Sequence, residues 1–258
     1  MKVGVCGAGG RMGREVCRAV AAEEDLELAC AVDPAFSGED LSRLVAGVPP
    51  GITLAGDVGA MSQASVDVMV DFTVAEAARE NLPRVLRGGI HCVVGTTGLS
   101  QEDLGELERS ALEGDVCCLV APNFALGAVL MMHFARRAAL YLERCEIIEL
   151  HHAAKLDAPS GTALNTARLI LEERGLREAG ESAEGPRGFT VGDINIHSVR
   201  LPGLVAHQEV IFGGPGQVLT IRHDSTDRTS FMPGVLMAVR RVVGMRGLLV
   251  GLESIMEL

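Results

Sequence analysis

Hydrophobic and polar positions follow two successive rhythms along this chain. In the first, short apolar runs take turns with segments of helical period. MKVGVCGAGG begins as a strand, RMGREVCRAVAAEE continues as a helix, and LELACAVD is a second strand. VDVMVDFT and IHCVVGTT are further strands, separated by the helix-like VAEAARENLPRVLRGG. SQEDLGELERSAL predicts a helix capped by Ser100 with acidic residues in its first turn, and DVCCLVAPNF another strand. Near-continuous apolar strands alternating with helices imply a parallel sheet covered on both faces.

The second rhythm starts near Ala125. ALGAVLMMHFARRAALYL predicts a long helix, RCEIIELHH a strand, and SGTALNTARLILEER a helix beginning near Ser160. The polar, glycine-rich LREAGESAEGPRGFTVGD reads as a loop. INIHSVRLPG, VAHQEVIFGG and GQVLTIRHDS follow as strands with Gly/Pro turns between them, the pattern of an open mixed or antiparallel sheet. FMPGVLMAVRRVVG is a closing helix that returns to the first domain. The expected architecture is α/β: a Rossmann-like doubly wound parallel sheet over 1–122 and 232–258, and a second α+β domain with an open mixed sheet over 123–231.

Composition narrows the function. A formal net charge of -11 opposes a general role on nucleic acid or acidic membranes, and 3% aromatic content leaves few stacking platforms for single strands. An anionic ligand then requires a local cationic pocket. The seven cysteines are odd in number, lack CxxC spacing and fall mostly in apolar runs, as buried free thiols of a reducing compartment do. No signal peptide is visible, and the apolar late stretch VLMAVRRVVGMRGLLVGL is too interrupted by arginine to span a bilayer. A cytoplasmic location is expected.

The first candidate chemistry is the turn VGVCGAGGRMGREV, in which Gly7, Gly10 and Gly13 punctuate a strand-to-helix junction. Glycine lets backbone approach a pyrophosphate, whose charge a helix N-terminus stabilises. Asp33 falls at the end of the second strand, where a carboxylate accepts hydrogen bonds from a ribose diol. Pro34, not a basic residue, follows it, and Arg11 is the nearest cation in sequence. NADH is therefore favoured over NADPH, and use of both is compatible with the sequence. Three further strand ends, Asp71-Phe72-Thr73, Gly95 to Gly98 and Ala121 to Phe124, lie where ligands of open parallel sheets sit, beyond the carboxyl ends of the strands.

The second is ELHHAAKLDAPSGTAL, Glu149 to Leu164. A metal is not expected: HHxxK lacks the i, i+4 histidines and glutamate base of zinc helices. Ser160 sits in a Pro-Ser-Gly turn with no base placed to activate it, and suits an N-cap better than a nucleophile. The N–H groups of Gly161 and Thr162 would then open a helix where a carboxylate binds, with Lys155 adding a point charge. Imidazoles titrate near neutrality, so His151 or His152 could pass a proton. The combination describes a reductase acting on a small anionic substrate.

EIIELHHAAKLDAPSGTA, Glu146 to Ala163, closely resembles the signature of the 4-hydroxy-tetrahydrodipicolinate reductase (dihydrodipicolinate reductase) family. GAGGRMG, DFT, GTTG, APNF, SVR, EVIFGG and RTSF occur in that family's order over nearly the whole chain. The resemblance implies reduction by NAD(P)H, with loss of water, of a small dicarboxylate, (2S,4S)-4-hydroxy-2,3,4,5-tetrahydrodipicolinate, to (S)-2,3,4,5-tetrahydrodipicolinate in lysine and diaminopimelate biosynthesis. It implies that Gly7, Ala8, Gly9, Gly10, Arg11 and Met12 bind the pyrophosphate and Asp33 the adenosine ribose. Gly95, Thr96, Thr97, Ala121, Pro122, Asn123 and Phe124 would contact the nicotinamide half, with Phe72 flanking the cofactor. It makes His151 the proton donor/acceptor and Lys155 the second proton donor. His152, Gly161 and Thr162 would bind substrate beside the Ser160 cap. Members of the family are usually homotetramers joined through the sheets of the second domain. Two other readings share the glycine turn: a different NAD-dependent dehydrogenase of small anions, and a non-catalytic dinucleotide sensor.

Overall fold

The computed structural model describes residues 1–176, 180–182 and 186–258. Its chain forms two compact units, Met1–Phe124 with Phe231–Leu258, and Ala125–Ser230.

The first unit starts β1 (Lys2–Cys6), α1 (Arg11–Ala21), β2 (Glu27–Val32), α2 (Gly59–Gln63), β3 (Val68–Asp71), α3 (Ala75–Arg87), β4 (His91–Val94), α4 (Gln101–Glu113) and β5 (Cys117–Val120). The second unit follows with α5 (Leu126–Ala138), β6 (Arg144–His151), α6 (Gly161–Glu173), β7 (Glu181–Ser182), β8 (Phe189–Val191), β9 (Ile194–Arg200), β10 (Ala206–Gly214) and β11 (Gln217–Ser225). The chain then returns to the first unit with α7 (Met232–Val242) and β12 (Gly247–Val250).

The first sheet is parallel throughout, in the order β12-β5-β4-β3-β1-β2. Helices α1 and α7 pack on one face; α2, α3 and α4 pack on the other. With both faces covered, the central strands need side chains that lose nothing on leaving water, and β3 and β5 are buried at every position. Ser100 caps α4 as expected: its hydroxyl accepts from Asp103 N–H, and Asp103 reaches back to Ser100 N–H. All seven cysteines are buried and free, and burial pushes the Cys117 thiol up to about 11 and that of Cys17 to about 12.

The second sheet is mixed, in the order β11-β10-β6-β9-β8-β7, with β6 and β9 parallel and the other neighbours antiparallel. Helices α5 and α6 cover one face. In β6 the alternation sends Cys145, Ile147 and Glu149 to the covered side.

Three elements differ from expectation. The segment Gly247–Val250 carries no strand signal of its own length, yet it adds to the free edge of β5, bracketed by Gly247 and Gly251 at positive φ. Part of the stretch read as a loop, 176–193, is sheet: β8 turns back on β9 across Gly192, and β7 pairs with β8. Within that stretch, 177–179 and 183–185 lie outside the described residues. Asp33 follows β2 instead of closing it.

Candidate active-site residues of each unit

Every residue expected to meet the dinucleotide lies just past the carboxyl end of a first-sheet strand. Gly7 to Met12 follow β1, Asp33 follows β2, Phe72 follows β3, Gly95 to Thr97 follow β4 and Ala121 to Phe124 follow β5. Because the strands are parallel, these ends share one edge. The turn after β1 needs its glycines sterically. Gly7 has φ +76°, and a Cβ on Gly13 would stand 2.0 Å from Gly7 O, so α1 could not start so close to the strand with any side chain there. Gly10 caps the helix. The N–H groups of Arg11 and Met12 meet no acceptor among the described residues, and they face outward with the positive end of the helix dipole. Asp33 Oδ2 accepts from Gly9 N–H at 2.9 Å and Oδ1 from Ala35 N–H at 3.1 Å. These bonds leave each oxygen with acceptor capacity for a diol.

A cavity of about 510 Å³ opens against this turn, lined by Gly7, Gly10, Asp33, Phe72 and Thr73 among others. That is ample for a nucleoside. It does not reach the loops after β4 and β5. Its wall carries the carboxylates of Asp33, Asp57 and Glu80 and no cationic side chain among the described residues. Arg11 is exposed at the start of α1. The cation that packs beside Gly9 is Arg14, whose Nε donates to Gly9 O at 2.8 Å while its guanidinium lies 5.7 Å from the Phe36 ring centre. Glycine crowding, an open helix tip and a nucleoside-sized cavity together fit a pyridine dinucleotide.

The second unit carries its own cluster of candidate residues. His151 ends β6, His152 is exposed beside it, and Lys155 sits in the turn that follows. Ser160 caps α6: its hydroxyl accepts from Ala163 N–H at 3.2 Å, while Gly161 and Thr162 supply the first helical N–H groups. Neither of those two N–H groups meets an acceptor among the described residues. No Cβ clash exists at Gly161, so that helix tip is open to a ligand. Lys155 Nζ is 2.8 Å from both oxygens of Asp157, and the ammonium holds the Asp157 carboxyl below its ordinary range.

Sequence reasoning assigned no role to Glu149 or Arg200, which organise this cluster. Glu149 is fully buried. Its Oε2 lies 2.5 Å from His151 Nδ1 and accepts from Arg200 Nη1 at 2.8 Å; its Oε1 accepts from Arg200 Nη2 at 2.7 Å and from Ser160 N–H at 3.2 Å. Arg200 Nη2 also donates to Asp157 O at 2.7 Å. Burial alone would raise the carboxyl, but the bonds from His151 and Arg200 outweigh it and lower Glu149 to about 2. An ionised carboxylate only accepts, so His151 Nδ1 carries hydrogen and Nε2 is the atom free to exchange a proton. The available signal was register: a glutamate in phase with Cys145 and Ile147 occupies a core position and must find a cation.

Residues 1–124 match the family described as dihydrodipicolinate reductase, N-terminus, and residues 127–256 its C-terminus counterpart. The 4-hydroxy-tetrahydrodipicolinate reductase of Moorella thermoacetica is 49% identical over 262 residues, covering 100% of this chain and 98% of the relative. That of Mycolicibacterium smegmatis is 49% identical over 265 residues, with 100% of both chains covered. Among solved structures, the dipicolinate-bound dihydrodipicolinate reductase of Paenisporosarcina sp. TG-14 superposes with a TM-score of 0.86 at 41% identity, covering 99% of each chain.

Proposed function

The chain belongs to the dihydrodipicolinate reductase family, and on that premise we propose how its residues carry the family's reaction. It is an oxidoreductase using a nicotinamide dinucleotide. The reaction reduces (2S,4S)-4-hydroxy-2,3,4,5-tetrahydrodipicolinate, with consumption of a hydride and a proton and release of water, to (S)-2,3,4,5-tetrahydrodipicolinate for diaminopimelate and lysine synthesis. When bound, the reduced dinucleotide supplies the hydride. Gly7, Ala8, Gly9, Gly10, Arg11 and Met12 bind its pyrophosphate, Asp33 its ribose, and Phe72, Gly95, Thr96, Thr97, Ala121, Pro122, Asn123 and Phe124 its nicotinamide half. His151 delivers a proton from Nε2, and Lys155 is the second donor once substrate draws its ammonium from Asp157. His152 and the α6 tip at Ser160, Gly161 and Thr162 hold substrate carboxylate.

One observation carries this assignment: a single buried carboxylate, Glu149, holds both the imidazole of His151 and the N–H of the Ser160 cap. The proton donor and the anion-binding helix tip are thereby fixed to one another. Charge favours NADH, because an adenosine 2'-phosphate would face Asp33, Asp57 and Glu80. In this reading 1–122 with 232–258 is the dinucleotide domain and 123–231 the substrate and oligomerisation domain. The partner is a second copy in a homotetramer. Supporting it, the sheet face away from α5 and α6 presents partly exposed Ile148, Leu150 and Ile211. No described helix is long and apolar enough to cross a membrane; a cytoplasmic location accords with the free thiols. The decisive experiment couples the enzyme to its upstream synthase with pyruvate and aspartate semialdehyde. NADH oxidation that requires the synthase product, with lower kcat/KM for NADPH, is expected. No oxidation of either dinucleotide would overturn the reading, and light scattering checks the tetramer.

A further inference from the structure

Asp71 ends β3 in the middle of the first sheet, paired with Cys6 of β1 and Val94 of β4, and is fully buried. No lysine or arginine among the described residues pairs with it. Its Oδ1 takes three donors: Thr73 N–H at 3.2 Å, Thr73 Oγ–H at 2.9 Å and Thr96 Oγ–H at 2.6 Å. Its Oδ2 is buried and accepts from no N–H or O–H among the described residues, and the Cys6 thiol stands against the carboxyl. An ordinary turn at a strand end accounts for the bond to Thr73 N–H, two residues on. It does not account for a hydroxyl arriving from the loop after the next strand, 25 residues later.

Both bonded threonines sit in loops of the dinucleotide half. Thr73 lines the cavity next to Phe72 and Cys6. Thr96 belongs to the loop after β4, where it is itself almost wholly buried with its hydroxyl turned inward to Asp71. The two loops follow different strands, and the Asp71 side chain bonds to both, so Asp71 is a tie between them. The loop after β3 also bears on the glycine turn: a Cβ on Gly7 would meet Phe72 O at 2.8 Å. Its ring packs on Phe124, from the loop after β5, with centroids 5.7 Å apart. Burial raises the Asp71 carboxyl above its ordinary range.

We propose that Asp71 is the positioning residue of the dinucleotide half-site: through Thr73 and Thr96 it locks the loops after β3 and β4 in the arrangement that receives the cofactor. This rests on the dinucleotide reading above. The test measures Kd for NADH and NADPH by fluorescence titration, at a temperature where circular dichroism shows each variant folded. Asp71→Ala is expected to raise both Kd values about tenfold or more, the scale of losing a buried acceptor. Asp71→Asn, which keeps an oxygen for the threonines, restores binding to within about threefold of wild type on the same scale. Thr96→Val raises Kd severalfold, and adds little in an Asp71→Ala background because its partner is already gone. A folded Asp71→Ala protein with wild-type Kd overturns the proposal, as does full additivity with Thr96→Val. If Asp71→Ala does not fold, the Thr73→Val/Thr96→Val protein decides: a raised Kd supports the tie and an unchanged Kd refutes it. A wild-type protein that binds neither dinucleotide would instead strike the cofactor reading itself.

Discussion

Replacing Glu149 by glutamine tests the second half-site at its centre. The side chain keeps its volume and loses its charge, while Arg200, with a side chain 18% exposed, keeps a guanidinium that now lacks its counter-ion. Lowering the carboxyl from 4.5 to about 2 is equivalent to ~3 kcal/mol of stability. That agrees with the ~3–5 kcal/mol usually lost when one partner of a buried pair is removed. The sign follows from the direction. A depressed folded-state carboxyl contributes fully above about pH 4.5, and the contribution is lost as pH falls from there towards 2. Wild type should therefore lose Tm steeply across that window, and Glu149→Gln should start lower at neutral pH and lose less across it. The same substitution leaves His151 Nδ1–H without an anionic acceptor, so kcat should fall about 100-fold, within the range for impaired general acid catalysis. Thermal melts from pH 3 to 8 and steady-state kinetics well below Tm measure the two effects. A Glu149→Gln enzyme with wild-type kcat and an unaltered Tm–pH curve would refute the reasoning.

Three further substitutions probe individual roles. His151→Gln should lower kcat by about two to four orders of magnitude with little change in Tm; unimpaired turnover in the coupled assay rules out its role. Lys155→Ala should raise KM and lower kcat together, because the ammonium serves both substrate and proton; a change in Tm alone would remove it from the site. Asp33→Ser should shift the NADH/NADPH ratio of kcat/KM towards NADPH by about tenfold, since a carboxylate facing a 2'-phosphate is removed. An unchanged ratio would show that the ribose is held elsewhere.

What the sequence made legible follows from where the physical signal lives. The central strands of the first sheet are buried on both faces, so their composition announces them without reference to neighbours. The capped starts of α4 and α6 are local chemistry, and Ser100 and Ser160 cap as their surroundings dictate. β12 is different: four residues become a strand only because β5 offers an unpaired edge, a fact about a segment more than a hundred positions earlier. β8 likewise owes its pairing to β9 and is masked by threonine, glycine and aspartate around it. In the second half-site His151, Lys155 and Ser160 stood out as a bunch of reactive types. Arg200, which holds their common carboxylate, lies 51 residues from Glu149 and becomes its neighbour only through parallel pairing of β6 with β9. Thr96 and Asp71 are separated from each other in the same way.

The two buried carboxylates show that burial does not by itself set the charge of a group. Asp71 and Glu149 are both fully shielded from water, each accepts several hydrogen bonds, and each stands beside candidate residues of its own unit. Their carboxyls nonetheless move in opposite directions, Asp71 up and Glu149 down to about 2. The difference is the partner. Hydroxyl and amide donors at Asp71 converge on one oxygen and bring no positive charge, so desolvation wins. At Glu149 a guanidinium and an imidazole reach the carboxylate, so the anion wins over its own desolvation. Linkage then gives the two groups opposite effects on folding: the contribution of Asp71 is present at low pH and lost as pH rises, and that of Glu149 is lost as pH falls. A fixed anion at Glu149 suits an imidazole that must hold Nδ1 protonated while Nε2 exchanges a proton.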